Sequence, residues 1–308
     1  MTVNVAAILV VRDEERLIER NVCFHLDMGF HTVAVLDHCS MDGTSDILNR
    51  LAADRGIVVM RDNDPSFDHA RLSNRILSHV LKTRYADWIV PLDADEFFHA
   101  PGGVPAFVEK VSANGIGYGS VQWFNALWAE SDHTAFGGSP LLTKWFYQPW
   151  PERAWQNAGH FRKSFCRVHS GMEVVVGGHY FRREANEDFF ATQREPAFIP
   201  TNLARIYHYE FRDSVNSLFA KWRKLAQFEQ DSSSLPDAPW MERLARIKSY
   251  VRNWEANPEE AVRFWSSGPR TFWGSPVPQT VWEKLDDLAD WQANFSPRYD
   301  HLQSMVPR

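Results

Sequence analysis

The segment Trp88-Ile89-Val90-Pro91-Leu92-Asp93-Ala94-Asp95-Glu96-Phe97-Phe98 decides the fold, because a short apolar run ends abruptly in three acids. Five apolar residues in succession are typical of a strand that is buried on both faces of a parallel sheet. The acids come where such a strand would leave the core. In open α/β sheets, ligands bind beyond the carboxyl ends of the strands. The segment therefore predicts a buried strand with chemistry at its end.

Alternating apolar runs and helical patterns precede this segment. The predicted strands are Val3–Val11, His31–Leu36 and Gly56–Met60, and the predicted helices are Glu14–Met28, Thr44–Arg55 and Phe67–Lys82. The order β-α-β-α-β-α-β implies right-handed crossovers and helices on both faces of the sheet. We therefore expect an α/β fold of the Rossmann-like kind, with a mostly parallel sheet.

Acidic residues follow three of these predicted strands. The first strand leads into Arg12-Asp13-Glu14, the second ends at Asp37, and the fourth ends at Asp93 and Asp95. Mg²⁺ and Mn²⁺ prefer carboxylate oxygens and leave coordination positions open for phosphates. One aspartate of Asp93-Ala94-Asp95 could hold such a cation while the other holds a ribose or a metal-bound water. Although D-x-D occurs by chance in surface loops, its place at the end of an apolar strand favours the functional interpretation.

Composition excludes several classes of function. The chain has 308 residues, a net charge of −6 and a pI near 6.1, and its bases are dispersed, so a nucleic-acid partner is not expected. Its three cysteines have neither a disulfide-framework pattern nor zinc-ligand spacing, which fits a reducing compartment. The apolar N-terminal stretch is too short to span a bilayer. We expect a cytoplasmic protein without a transmembrane segment, whose contact with the inner membrane face, if any, would be peripheral.

Three segments together resemble the glycosyltransferase family 2-like group, which has a GT-A fold. They are Val10–Glu15, Leu36–Thr44 and Pro91–Phe97, in the order and spacing of that group over roughly the first hundred residues. The resemblance implies a nucleotide-sugar donor, UDP- or GDP-linked, and a divalent cation, Mn²⁺ or Mg²⁺. It assigns the following residues to the donor pocket: Arg12, Asp13, Glu14, Asp37, Asp42 and Asp93. Asp42 belongs to an Asp-Gly-Thr stretch, which is equally good turn and helix-capping chemistry.

Basic and histidine residues are implied by the same resemblance. Arg71, with Arg75 one turn along, matches the basic residue that meets the diphosphate, although either could be a surface charge. In the second half, Phe161–Arg167 resembles the segment that supplies a further positively charged residue, here Lys163. Gly177-Gly178-His179-Tyr180 resembles the segment with a late histidine. His179 is the expected third metal ligand beside Asp93 and Asp95, because the adjacent glycines permit close backbone approach. The alternative is His208, in a segment that is followed by Lys221.

The catalytic base is the least determined residue. Family resemblance implies an acid after the D-x-D strand that removes the acceptor proton, and the candidates are Glu130, Asp132 and Glu173.

The chain divides into two predicted regions. They are a GT-A-like domain, residues 1–212, and a helical C-terminal region, residues 213–308. Within the first, residues 1–100 form the donor half and residues 101–212 the acceptor half. Strands are expected near 117–124, 161–168 and 174–176, and helices near 215–226, 240–254 and 280–291.

These features predict a metal-dependent glycosyltransferase that moves a sugar to a glycan or other hydroxyl acceptor, with inversion implied by the resemblance. A sugar nucleotidyltransferase also uses an α/β sheet with acidic ligands, but it usually has a glycine-rich basic loop after the first strand. Residues 11–15 are acidic and contain no glycine. A non-catalytic carbohydrate-binding protein would explain the 13 tryptophans by stacking on sugars but not the strand-end acids.

Overall fold

The computed structural model describes residues 3–84, 86–127, 144–147, 162–182, 196–209, 215–227, 238–266, 277, 280 and 282–295. The predicted alternation of the first half is confirmed. Its elements are β1 (Val5–Val11), α1 (Ile18–Asp27), β2 (Thr32–His38), α2 (Thr44–Arg55), β3 (Val58–Asp62), α3 (His69–Thr83) and β4 (Trp88–Leu92). Helix α1 begins four residues later than predicted, because Leu17 and Ile18 donate backbone hydrogen bonds to Glu14 in a turn that follows β1.

From residue 96 to residue 209, the part of the chain that the structure describes contains strands of two to nine residues and one α-helix. These elements are β5 (Glu96–His99), α4 (Gly103–Ala113), β6 (Tyr118–Ala126), β7 (Trp145–Tyr147), β8 (Arg162–Arg167), β9 (Glu173–Val174), β10 (Phe181–Arg182), β11 (Ala197–Phe198) and β12 (Arg205–His208). A short 3₁₀ turn, Val176–Gly178, occupies the end of the segment expected to be extended near 174–176.

The sheet is parallel in its first half and mixed as a whole. Strands β3, β2, β1 and β4 are neighbours and parallel, as predicted. Strand β8 pairs antiparallel with both β4 and β6, and β6 pairs antiparallel with β7. Because Val11 lies opposite Asp37 and Leu9 opposite Leu92, the carboxyl ends of β1, β2 and β4 meet at one edge.

Apolar side chains of β1 divide between the two faces of the sheet. Ala7, Leu9 and Val11 pack on the side of α1 and α2, whereas Ala6 and Ile8 pack on the side of α3. Burying each large aliphatic side chain contributes about 1.5–3 kcal/mol. Strand β1 is thereby held by packing on both faces, and the position of the residues that follow it is fixed.

The C-terminal region forms a helical cluster and then returns to the sheet. Its elements are α5 (Val215–Gln227), α6 (Ala238–Ala256), α7 (Pro258–Ser266), β13 (Trp282–Lys284) and α8 (Asp287–Asn294). The first three helices share a core that includes Phe219, Trp222, Ile247 and Trp265. None of the helices that the structure describes is long and apolar enough to cross a membrane.

The helix predicted over Thr280–Trp291 is wrong at its start. Residues Trp282–Lys284 form β13, which pairs antiparallel with β7, and Leu285 donates a 2.7 Å backbone hydrogen bond to Lys144. A sheet partner from another part of the chain satisfies the backbone groups that a local helix would otherwise pair. The helix therefore begins only at Asp287.

Candidate active site

The turn between β4 and β5 presents the two aspartates in different directions. Glu96 donates its N–H to the Asp93 carbonyl at 3.1 Å, and Asp93 donates its own to Glu96 Oε2 at 2.9 Å. The Asp93 side chain is 40% exposed, whereas the side chain of Asp95 is 4% exposed. Asp93 lines a small crevice at the sheet edge together with His69, Lys163 and Gly178, whereas the Asp95 carboxylate is buried.

Lys163, the positively charged residue predicted in the second half of the chain, lies against this turn. It comes from β8, and its side chain is 1% exposed. The Nζ atom contacts Asp93 Oδ2 at 2.9 Å, Glu96 Oε2 at 3.1 Å and the Gly177 carbonyl at 2.6 Å. A buried ammonium is stable only with such partners. The structure thus brings Lys163 and Asp93 together as an ion pair at the end of β4.

The charges of this cluster are set by burial and by one another. Burial raises the pKa of Glu96, and the nearby carboxylate of Asp93 adds to this effect, so that the pKa reaches about 8 despite Lys163. Burial acts in the same direction on Asp93, but Lys163 and His69 hold its pKa well below the ordinary value. Burial lowers the pKa of Lys163, yet the two carboxyl groups outweigh it and raise that pKa. Lys163 and His69 therefore hold Asp93 in the ionised form, whereas Glu96 binds a proton more readily than an ordinary glutamate.

His69, at the start of α3, is a crevice residue that the sequence analysis missed. Its Nδ1 atom accepts the backbone N–H of Gly177 at 3.2 Å, so the neutral ring carries its hydrogen on Nε2. Nε2 lies 3.9 Å from Asp93 Oδ1. The sequence did contain an indication of its place, because His69 directly follows Asp68, which caps the same helix that carries Arg71. The prediction for this helix named Arg71 and Arg75 and did not include His69.

Asp95 is paired with a lysine from the C-terminal region. Its Oδ2 atom accepts a short hydrogen bond from Lys221 Nζ on α5, and its carbonyl accepts the N–H of Tyr209 at 2.8 Å. The Lys221 side chain is 25% exposed. Helix α5 therefore reaches the D-x-D motif directly, which gives Lys221 a role that the sequence analysis did not assign.

His179 follows the 3₁₀ turn beside Lys163. Its Nδ1 atom lies 2.6 Å from the Arg162 carbonyl, which can only accept, so the ring lone pair resides on Nε2. Gly177 has φ 74°, and a Cβ there would lie 2.5 Å from the His179 ring. Glycine is therefore required for this ring position. His208, the alternative, hydrogen-bonds Asn125 at 2.8 Å and stacks on Trp123 with ring centroids 4.4 Å apart.

Hydrogen bonds connect the loops that follow β1 and β2 at the same edge of the sheet. Asp13 accepts the N–H of Met41 at 2.7 Å and donates its own to Ser40 Oγ at 2.9 Å. Glu14 donates its N–H to Thr44 Oγ1 at 2.7 Å. Asp13 and Cys39 both have φ 54°, a left-handed conformation that costs free energy for non-glycine residues and is common at functional sites.

Three further predicted donor residues lie around these loops. Asp37 is 3% exposed, and its carboxylate accepts from Ser45 Oγ and from the N–H of Ser40. Both oxygens of Asp42 accept backbone N–H groups, those of Glu15 and Thr44, so its turn-forming role is realised. Arg12 follows β1 and is half-buried. The carboxylates of Asp13, Asp37 and Asp42 therefore order the loops that line this edge.

Arg71 and Arg75 meet an acid at the end of β3. Both guanidinium groups contact Asp62 Oδ2, Arg71 at 3.1 Å, and Arg71 also lies 3.8 Å from Asp64. Burial raises the pKa of Asp62, but hydrogen bonds from the Asp64 backbone and both arginines reverse this and lower it. Asp62 extends the series of strand-end acids to β3, which the sequence analysis had not included.

The candidates for the catalytic base are only partly described. Glu130 and Asp132 lie outside the described residues. Glu173 lies on β9, which packs against α3 through hydrogen bonds between Asn74 and Val174. Its carboxylate accepts from Arg182 Nε at 2.5 Å. The role of Glu173 stays a prediction.

A divalent cation fits part of the predicted ligand set. No group of three potential metal ligands occurs among the described residues, and the Asp95 carboxylate is paired with Lys221. Asp93 Oδ1, by contrast, belongs to a half-exposed carboxylate whose other oxygen contacts Lys163, and Oδ1 itself lies 3.9 Å from His69 Nε2. His179 has the tautomer of a metal ligand, since its other nitrogen is held by a carbonyl. Cations that use donor phosphates and water as ligands need few protein ligands.

Comparison with known proteins identifies a family over most of the chain. Residues 7–190 match the model of Glycosyl transferase family 2. The search of curated proteins gives no significant match. The structure of S. aureus TarS 1–349 is similar at 10% identity and TM-score 0.39, covering 82% of this chain and 72% of that one.

A second similar structure covers less of both chains. It is glucosyl-3-phosphoglycerate synthase from Mycobacterium tuberculosis in complex with Mn²⁺, UDP and phosphoglyceric acid, at 20% identity and TM-score 0.27. The match covers 40% of this chain and 43% of the synthase. The same synthase was also crystallised with Mg²⁺ and UDP, and that structure matches at 19% identity.

Proposed function

Because the chain belongs to glycosyl transferase family 2, we propose that it transfers a sugar from a UDP- or GDP-linked donor to a hydroxyl acceptor, with a divalent cation and with inversion. The acceptor would be a glycan or another hydroxyl compound in glycan or polysaccharide synthesis. One observation carries this proposal: ionised Asp93, paired with buried Lys163, lies at the end of β4 beside the ordered loops of β1 and β2.

The donor would lie along this sheet edge. Its nucleoside would meet the loops of Asp13 and Asp37, where the backbone is already held by cross-loop hydrogen bonds. Its diphosphate would lie nearer to Asp93 and Lys163. A preordered pocket reduces the entropy lost on binding, which favours affinity for a flexible donor. Arg71 is a second source of positive charge, although it must share its guanidinium with Asp62.

Asp93 and His179 are the residues that would hold the cation, with Mn²⁺ or Mg²⁺ as its identity. When bound, the cation would neutralise the charge that develops on the departing diphosphate. Asp95 would join these ligands only after losing Lys221, so we assign it to support of the site in the arrangement described. Lys163 supplies a fixed positive charge beside Asp93 and keeps that carboxylate ionised at neutral pH.

The acceptor hydroxyl must lose a proton during transfer, and an acid after β4 would accept it. Glu130, Asp132 and Glu173 remain the candidates. For Glu173 this role requires that Arg182 release its carboxylate, since the Arg182 guanidinium contacts Glu173 Oε2. We also propose a cytoplasmic location, with any contact at the inner membrane face being peripheral. Three free thiols in the described structure are compatible with it.

A panel of nucleotide-sugars tests this function. We expect UDP- or GDP-linked sugars to raise the melting temperature in the presence of Mn²⁺ or Mg²⁺, because a ligand that binds only the folded state stabilises it. Asp93→Asn should abolish this shift, whereas Asp54→Asn, an exposed change on α2, should leave it intact. Turnover of a nucleoside triphosphate with a sugar phosphate would instead identify a nucleotidyltransferase. Stabilisation by free glycans alone would identify a carbohydrate-binding protein.

A further inference from the structure

Two polar side chains of α1 lie beneath the D-x-D turn without being part of the proposed donor pocket. Asn21 and His25 are one helical turn apart, and each is 0% exposed. Buried polar groups are costly unless they are hydrogen-bonded. Their partners identify what these two residues do, because most of them belong to the backbone of residues 93–98.

Asn21 binds the carbonyls of the turn. Its Nδ2 atom lies 2.7 Å from the Glu96 carbonyl, 3.0 Å from that of Ala94 and 3.4 Å from that of Asp93. Three carbonyls therefore converge on one amide group that has two hydrogens to donate. This convergence fixes the curvature of the turn from which Asp93 reaches the crevice.

His25 fixes the orientation of that amide. The N–H of Phe98 donates to His25 Nε2 at 3.0 Å, so the neutral ring must carry its hydrogen on Nδ1. Nδ1 lies 3.0 Å from Asn21 Oδ1 and therefore donates to it. With its oxygen engaged in this way, Asn21 turns its NH₂ group toward the turn. The chain of donors and acceptors admits one arrangement.

The ring of His25 stays neutral over the range in which enzymes work. Burial lowers its pKa to about 3, and the hydrogen bond with Asn21 only partly opposes this. The rings of Phe24, Phe30 and Phe97 surround it, with centroids 5.3 to 6.3 Å from its own. The arrangement is therefore a permanent part of the fold and does not respond to pH near neutrality.

We propose that Asn21 and His25 are positioning residues for sugar transfer, which act by holding the Asp93–Glu96 turn at the height where Asp93 and Lys163 meet the donor diphosphate. The inference rests on the proposed function. Neither side chain touches the donor in this account. Their contribution is geometric, and a displacement of about 1 Å at a reacting group can reduce turnover about 100-fold.

Asn21→Asp tests the proposal, because a carboxylate of the same shape cannot donate to three carbonyls. We expect kcat per folded enzyme to fall about 10- to 100-fold, with a smaller change in the KM for acceptor. Asn21→Ser, which admits water to the carbonyls, should fall less. His25→Phe should lose more activity than His25→Gln, whose amide oxygen can accept from Phe98. Asn253→Asp, the same change at an exposed position of α6, should leave kcat unchanged.

An unaltered kcat in correctly folded Asn21→Asp would overturn the proposal, even with a lowered melting temperature, since that pattern belongs to a purely structural residue. An inactive wild-type protein would instead remove the proposed function. Nitrogen-15 spectra of the wild-type protein test the hydrogen-bond chain without any variant. They should show His25 as the Nδ1–H tautomer with a coupling across the hydrogen bond to Phe98. The Nε2–H tautomer or an imidazolium would overturn the proposal.

Discussion

Glu96→Gln should remove a specific dependence of stability on pH. The side chain is fully buried, and its pKa is raised to about 8 in the folded protein from an ordinary value of 4.5. Between these two values the folded protein keeps a proton that the unfolded chain has released. The free energy of unfolding therefore falls as the pH rises, with a slope that approaches about 1.4 kcal/mol per pH unit. Glutamine keeps the shape and cannot ionise.

From about pH 5 to about pH 7.5, the wild-type protein should lose up to about 3 kcal/mol relative to Glu96→Gln. The depressed pKa of Asp93 lies below this window, so its own contribution stays complete throughout. Other titrating groups, such as His99, are common to both proteins and cancel in the difference.

Urea unfolding at several pH values measures this difference through the midpoint and slope of each transition. Glu109→Gln, an exposed change on α4, provides a control for the loss of one carboxylate. Wild-type and Glu96→Gln curves that stay parallel across the window would refute the reasoning, because they would mean that Glu96 is ionised in the folded protein as it is in the unfolded chain.

Three other changes probe the ion pairs of the site. Lys163→Met should lower the free energy of unfolding by about 1.5–3 kcal/mol in urea at neutral pH, because Asp93 loses its charged hydrogen-bond partner; an unchanged free energy would contradict this. Lys221→Met should accelerate hydrogen exchange in α5, which loses its bond to Asp95; unchanged exchange would show that the helix is held by packing alone. Asp95→Asn should abolish transfer in a metal-replete assay, because it removes the ion pair with Lys221 that supports the site; retained activity would exclude a necessary role.

The order of the elements could be predicted from the sequence because β1, β2 and β4 are buried on both faces. Continuous apolar runs such as that of β1 have few other solutions, and the helices between them have clear apolar stripes. The convergence of strand-end acids followed from the parallel order alone. Strand β13 could not be predicted, since it exists only because β7 offers a partner from a distant part of the chain.

The partners of the acids were harder to predict than the acids themselves. Lys221 lies 126 residues from Asp95, and Lys163 lies 70 residues from Asp93, so no local pattern connects them. Lys163 was found through family resemblance, whereas Lys221 was noted only as part of a similar segment. His69 and Asp62 were missed because a single histidine or aspartate at the end of an element has many structural uses.

Calorimetric titration of UDP and of GDP into the protein with Mn²⁺ tests the central claim most directly. We predict saturable binding of at least one of the two, weakened by removal of the cation and by Asp93→Asn, with Asp54→Asn binding like the wild type. Absence of binding for both nucleotides, or equal binding by Asp93→Asn, would contradict the placement of a nucleotide-sugar diphosphate at the end of β4.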